Sequence, residues 1–188
     1  MKMQVAHVSL PKQGETANGD RPFHRQDGPD RHLIAVIDGL GHGPEAQLAS
    51  LAALEYLAEV SLDIPLDEIM PGLHEKMRGT RGAAGAVCMA NGNALSACAV
   101  GNVELRTLRT DIPLIASAGI LGVRVQKFRI ARSTFKTPCR VLIFSDGITN
   151  PTTIHEFNGL PAQVTCNGLL ERHRRNYDDA TVLIADLE

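Results

Sequence analysis

The chain has 188 residues, 44% hydrophobic and 21% charged, an ordinary globular composition and enough chain to bury a core without disulfide or metal staples. A formal net charge of −2 supplies no basic field against phosphates and so excludes a broad nucleic-acid-binding surface. No apolar run reaches the roughly 18 residues of a membrane span, and the first residues, Met1-Lys2-Met3-Gln4, lack the apolar centre of a signal peptide.

Taken in order, residues 3–10 alternate loosely and predict a strand, and 11–20 form a loop rich in turn-forming residues. A short strand is expected over 21–25 and a turn at Asp27-Gly28-Pro29-Asp30. Leu33-Ile34-Ala35-Val36-Ile37 is an unbroken apolar run that reads as a buried strand; it ends in Asp38, and glycine occupies 39, 41 and 43. Pro44 opens a helical pattern that runs to 61. A second helix is predicted over 65–77, kinked or delayed by Pro71. Strands follow at 83–89, 94–100 and 103–108, with hairpin chemistry at Gly92-Asn93 and a turn at Gly101-Asn102. Two more strands are expected at 127–133 and 140–144, a helix at 161–173 and a closing strand at 181–185.

Helices grouped between runs of strands predict an α+β layered fold, with two packed sheets and helices outside them. With no repeat, linker or low-complexity segment, residues 1–188 are expected to form one domain. Cys88, Cys98, Cys139 and Cys166 show no CxxC spacing, and three of them lie in apolar runs. Reduced packing thiols in a cytoplasmic protein are therefore expected, in preference to a zinc site.

Four acidic positions share a setting. Asp20 ends a glycine-containing loop, Asp38 ends a strand, Asp146 follows Val141-Leu142-Ile143-Phe144-Ser145, and Asp178-Asp179 precede the last strand. If those strands are neighbours in one sheet, their ends cluster, and clustered carboxylates need a cation. Oxygen donors without histidine or cysteine select Mg²⁺, Mn²⁺ or Ca²⁺. Aspartate is also a common residue where a strand gives way to a loop, and spacing alone leaves both readings standing.

An ordered set of short motifs goes further: Gly14-Glu15 with Gly19-Asp20, Asp38-Gly39-Leu40-Gly41-His42-Gly43, Arg81-Gly82-Ala83-Ala84, Val100-Gly101-Asn102-Val103, Gly119-Ile120-Leu121-Gly122, Ser145-Asp146-Gly147-Ile148 and Asp178-Asp179-Ala180-Thr181. In this order, over nearly the whole chain, they resemble the protein phosphatase 2C (PPM-type) superfamily, and within it the bacterial SpoIIE-like branch. The resemblance implies a four-layer αββα sandwich of two antiparallel β-sheets flanked by helices. It implies a serine/threonine phosphatase using two Mn²⁺ or Mg²⁺ ions to activate a water. Asp38 matches the bridging carboxylate, the Gly39 carbonyl a ligand of one ion, and Asp146 and Asp178 the carboxylates on the other. Asp179 ranks behind Asp178, and Asp20 acts directly or through water.

The chain also departs from the family pattern. Asn102 stands where many relatives carry an aspartate that serves a third metal. Glu15 or a neighbour stands near the place of a phosphate-holding arginine, and the 31 residues between Asp146 and Asp178 leave little room for a substrate flap.

His42, in the glycine-rich opening, reads either as a phosphate contact or proton donor or as an exposed loop histidine. Arg172-His173-Arg174-Arg175 reads as a solvated face that complements a helix dipole, with a docking surface for an acidic partner as the sharper option. The branch's stressosome phosphatases imply a phosphorylated STAS-domain protein as substrate, with no nucleic acid or membrane and a monomer expected. A catalytically silent partner-binding module and a small phosphate-ester hydrolase are the alternatives.

Overall fold

A computed structural model describes residues 2–136, 138–149 and 154–188. The strands are β1 (Met3–Leu10), β2 (Asp20–Asp27), β3 (Arg31–Gly39), β4 (Ala83–Asn91), β5 (Ala94–Val100), β6 (Glu104–Leu108), β7 (Gly119–Ile120), β8 (Arg124–Val125), β9 (Ala131–Thr134), β10 (Cys139–Phe144) and β11 (Ala180–Leu187). The helices are α1 (Pro44–Glu59), α2 (Leu66–Lys76) and α3 (Ala162–His173), and a 3-10 turn spans Ile154–Phe157.

Two antiparallel sheets carry the fold, one ordered β1-β11-β10-β6 and the other β2-β3-β4-β5-β9. The apolar run of β3 explains why there are layers on both sides. Ile34 and Val36 enter the core between the sheets, while Leu33, Ala35 and Ile37 enter the core under α1 and α2. Strand side chains alternate faces, so an unbroken apolar strand must be covered twice. β10 and β11 repeat the logic in the other sheet. Val141, Ile143, Leu183 and Ala185 face the inter-sheet core, and Leu142, Phe144, Val182 and Ile184 face α3. The architecture is thus the expected α+β sandwich with helices on both outer faces.

The four cysteines are free and buried. Cys88 and Cys139 lie in the inter-sheet core, Cys98 under the α1–α2 layer and Cys166 under α3. Burial pushes the Cys88 and Cys166 thiols up to about 12, so they act as small apolar groups.

Three local expectations change. α2 runs across Pro71 from Leu66, because burial of Leu66, Ile69, Met70 and Leu73 offsets the roughly 3 kcal/mol cost of an interior proline. The strand expected at 127–133 is only Ala131–Thr134; Phe128 and Ile130 pack instead against the α1–α2 core. The short β7–β8 hairpin was not expected, and it lies beside Gly82, where a Cβ would stand 2.6 Å from the Leu121 carbonyl oxygen.

Candidate active site

The acidic residues meet at one end of the sandwich, and they come from both sheets. Asp20 opens β2 and Asp38 lies near the end of β3, and antiparallel register pairs them directly across one sheet. Asp146 follows β10 and Asp178 precedes β11, whose pairing brings Phe144 opposite Val182 in the other sheet. Ser145 joins the two halves. Its Oγ donates to Asp20 Oδ2 at 2.5 Å and accepts the Thr181 N–H at 2.9 Å.

Two glycines permit this closeness. At Gly39 a Cβ would stand 2.0 Å from the Ala46 carbonyl oxygen, and at Gly147 it would stand 1.8 Å from that of Asp179. Both obstacles are backbone, so Gly147→Ala must displace the segment bearing Asp178. It should lower the unfolding free energy by at least ~1–3 kcal/mol and weaken Mn²⁺ binding, whereas Gly92→Ala, which meets no atom within 4 Å, should leave Mn²⁺ binding intact. Thermal unfolding and metal titration of the two variants check this; equal Mn²⁺ affinity in both would refute it.

The electrostatics are those of crowded like charges. Burial first, and then repulsion from neighbouring aspartates, pushes Asp20 up to about 7 and Asp38 up to about 9. The Ser145 and Thr181 hydroxyls partly hold Asp20 back. Asp178 is raised in the same way, by burial and then by Asp146. Among the described residues no lysine or arginine pairs with Asp20, Asp38, Asp146 or Asp178, and the buried Asp20 Oδ1 has no hydrogen-bond partner. Unpaired buried carboxylate oxygens are costly unless a cation takes them up.

The donor set is oxygen only, which fits a hard divalent ion. Among the described residues no three acidic, histidine or cysteine side chains close into a compact cage.

The rim has its own order. Asp179 is buried, and its two oxygens accept the N–H groups of Lys12 (2.7 Å) and Gly19 (2.8 Å). It braces the loop that precedes Asp20, while Asp178 is left on the side of Asp146. Asn102 Nδ2 donates to Asp146 Oδ2 at 2.6 Å, a neutral donor on this carboxylate.

His42 is half exposed and engaged on both ring nitrogens, Nδ1 with Glu15 Oε1 at 2.6 Å and Nε2 with Lys12 Nζ at 3.1 Å. It is near enough to Asp178 to act on its charge. Sequence reasoning did not single out Ser145 or Lys12, whose roles depend on contacts with residues far away along the chain. A cleft of about 540 Å³ opens beside Asp146, with Asn102 and Arg175 in its wall.

No family profile and no curated protein sequence matches the chain. Solved structures do match. A structure from work on the bacterial stressosome, a modular system adapted to control secondary messenger signalling, is 30% identical with a TM-score of 0.89, over 98% of this chain and 100% of that one. RsbX in complex with magnesium is 25% identical with a TM-score of 0.87, over 99% of this chain and 96% of that one. The catalytic domain of the serine/threonine protein phosphatase PstP with two manganese ions has a TM-score of 0.77 at 20% identity, over 98% and 97% of the two chains, a likeness of fold.

Proposed function

The chain belongs to the protein phosphatase 2C (PPM-type) superfamily, and we propose that it is a Mn²⁺- or Mg²⁺-dependent phosphatase acting on phosphoserine or phosphothreonine of a stress-signalling protein. One observation carries this reading: carboxylates from two sheets converge, among the described residues no lysine or arginine pairs with them, and the Asp20 Oδ1 is orphaned. Likeness to RsbX and to the stressosome structure supports a phosphorylated STAS-domain protein as substrate. We further propose that residues 1–188 act as one phosphatase domain, as a cytoplasmic monomer. Among the described residues no helix is long and apolar enough to cross a membrane.

In this reading Asp38, the Gly39 carbonyl, Asp146 and Asp178 hold two ions, with Asp20 behind Asp38 and Asp179 as a brace. When bound, such ions supply an activated water and neutralise phosphoryl charge, the main demand of phosphate monoester hydrolysis. Ser145 orients Asp20, and Asn102 orients Asp146 without adding a positive charge. Glu15 fixes the plane of His42 through Nδ1. His42 is assigned the transfer of a proton from Nε2 to the departing serine or threonine oxygen, the proton reaching Nε2 from the Lys12 ammonium that donates to it.

Selectivity then comes from docking on the folded partner. With Mn²⁺ present, a phosphorylated STAS-domain protein should show a kcat/KM at least about tenfold above that of a phosphopeptide copied from it, about 1.4 kcal/mol of remote binding energy. A ratio near one would remove the stressosome assignment while leaving the phosphatase standing. Turnover of small esters alone would reduce the protein to an ester hydrolase, and no turnover at all would leave a silent binding module.

A further inference from the structure

Arg175 belongs to the basic run read from the sequence as a solvated face, yet its setting differs from that of its neighbours. Arg172 pairs with Glu156 at 2.6 Å and lies over the Phe157 ring, and Arg174 donates to the Pro11 carbonyl at 2.6 Å. The Arg175 N–H donates to the Gly147 carbonyl at 2.7 Å, which pins its backbone beside the residue that follows Asp146. Its partly buried side chain forms the wall of the cleft of about 540 Å³ together with Asp146 and Asn102.

Among the described residues the guanidinium has no side-chain partner. The two acids in the same cleft are already engaged, Asp146 by Asn102 at 2.6 Å and Glu104 by Arg106 at 2.7 Å. A partly desolvated cation facing carboxylates that other groups hold is available to an incoming anion. The planar guanidinium fork matches two oxygens of a phosphoryl group. The other cleft walls are apolar, with Leu105, Leu114 and Phe144 among them, which suits a phosphate carried on a peptide.

We propose that Arg175 is a substrate-binding residue that grips the phosphoryl oxygens of the phosphoester beside Asp146. The proposal rests on the phosphatase reading. It places a guanidinium at the cleft, whereas the region of Glu15 offers a lysine, Lys12, already paired with Glu15 and His42.

The test uses the full chain with Mn²⁺, p-nitrophenyl phosphate as substrate and inorganic phosphate as the binding probe. Arg175→Ala should raise KM about tenfold or more, and calorimetry should show phosphate binding weakened by a similar factor. Arg175→Lys should recover part of both, since it keeps the charge but loses the fork. Arg172→Ala should change neither. The melting gain on adding Mn²⁺ should be the same in wild type and Arg175→Ala, which shows that the acidic centre is intact. If Arg175→Ala fails to fold, Arg175→Gln takes its place.

A lower kcat with unchanged KM and phosphate affinity would mark a merely structural role and overturn the proposal, as would unchanged kinetics in an active enzyme. A wild-type protein without Mn²⁺-dependent turnover of any phosphoester would overturn the phosphatase reading itself, and the role of Arg175 with it.

Discussion

Asp38→Asn should lower turnover by at least ~100-fold while making the metal-free protein harder to unfold. Register places Asp38 directly opposite Asp20, and its carboxyl is raised by burial and then by Asp20, Asp146 and Asp178. Asparagine keeps the shape and removes the charge. The loss of turnover corresponds to about 2.7 kcal/mol of transition-state stabilisation, in the range for removing a principal electrostatic contact. The gain in stability has a related origin: on folding, the wild-type Asp38 must either take up a proton or sit charged against Asp20, and the neutral amide does neither. The variant should also lose most of the melting-temperature increase that Mn²⁺ gives the wild type. Kinetics and circular dichroism melts, each with Mn²⁺ and with chelator, measure all three. Near-normal turnover with an unchanged circular dichroism spectrum would end the metal mechanism.

The second large effect is a pH dependence that runs opposite to that of most salt-bridged carboxylates. Asp20 and Asp38 titrate at about 7 and about 9 in the folded chain, against about 4 for an aspartate in an unfolded one. The folded state therefore binds more protons than the unfolded state across that interval. By linkage, stability falls as pH rises: the contribution is full below about 4 and is lost as pH passes about 7 for Asp20 and about 9 for Asp38. A tenfold rise in a carboxylate's affinity for its proton on folding is worth about 1.4 kcal/mol, so the pH dependence of the metal-free protein should be steep enough to read from its melts.

A divalent cation replaces those protons and binds only the folded state, which adds about 2.7 kcal/mol at a hundredfold excess over Kd. Melts of the metal-free wild type should therefore decline between pH 5 and about 9, and the protection given by Mn²⁺ should widen over the same range. Subtracting the same series for Asp38→Asn isolates the carboxylate from histidines that titrate nearby. A flat metal-free profile with no gain from Mn²⁺ would show that these carboxylates do not carry the repulsion assigned to them.

Much of this was legible along the chain, because the signals are local. The apolar run at 33–37 required a strand covered on both faces, and both covers are present. Gly19-Asp20, Asp38-Gly39 and Asp146-Gly147 marked acids where strands begin or end, and these three reach one end of the sandwich, whereas the Asp27-Gly28 turn lies at the other. Periodicity located all three helices to within a few residues.

Pairing partners could not be read this way, because a strand's own residues do not say which sheet it joins. Whether the acids share a sheet is a condition left open along the chain for that reason. Asp20 and Asp38 belong to one sheet, Asp146 and Asp178 flank strands of the other, and Ser145 spans the gap through a contact 125 positions long. Asp178 and Asp179 are adjacent and chemically identical; distant backbone donors, Lys12 and Gly19, take both oxygens of Asp179, whereas among the described residues Asp178 accepts only its neighbour's N–H. The four residues of the basic run look alike, until burial and neighbours from distant segments leave Arg175 alone facing the acidic end. Long-range hydrogen bonds and desolvation set these differences, and both exist only once the two sheets have packed.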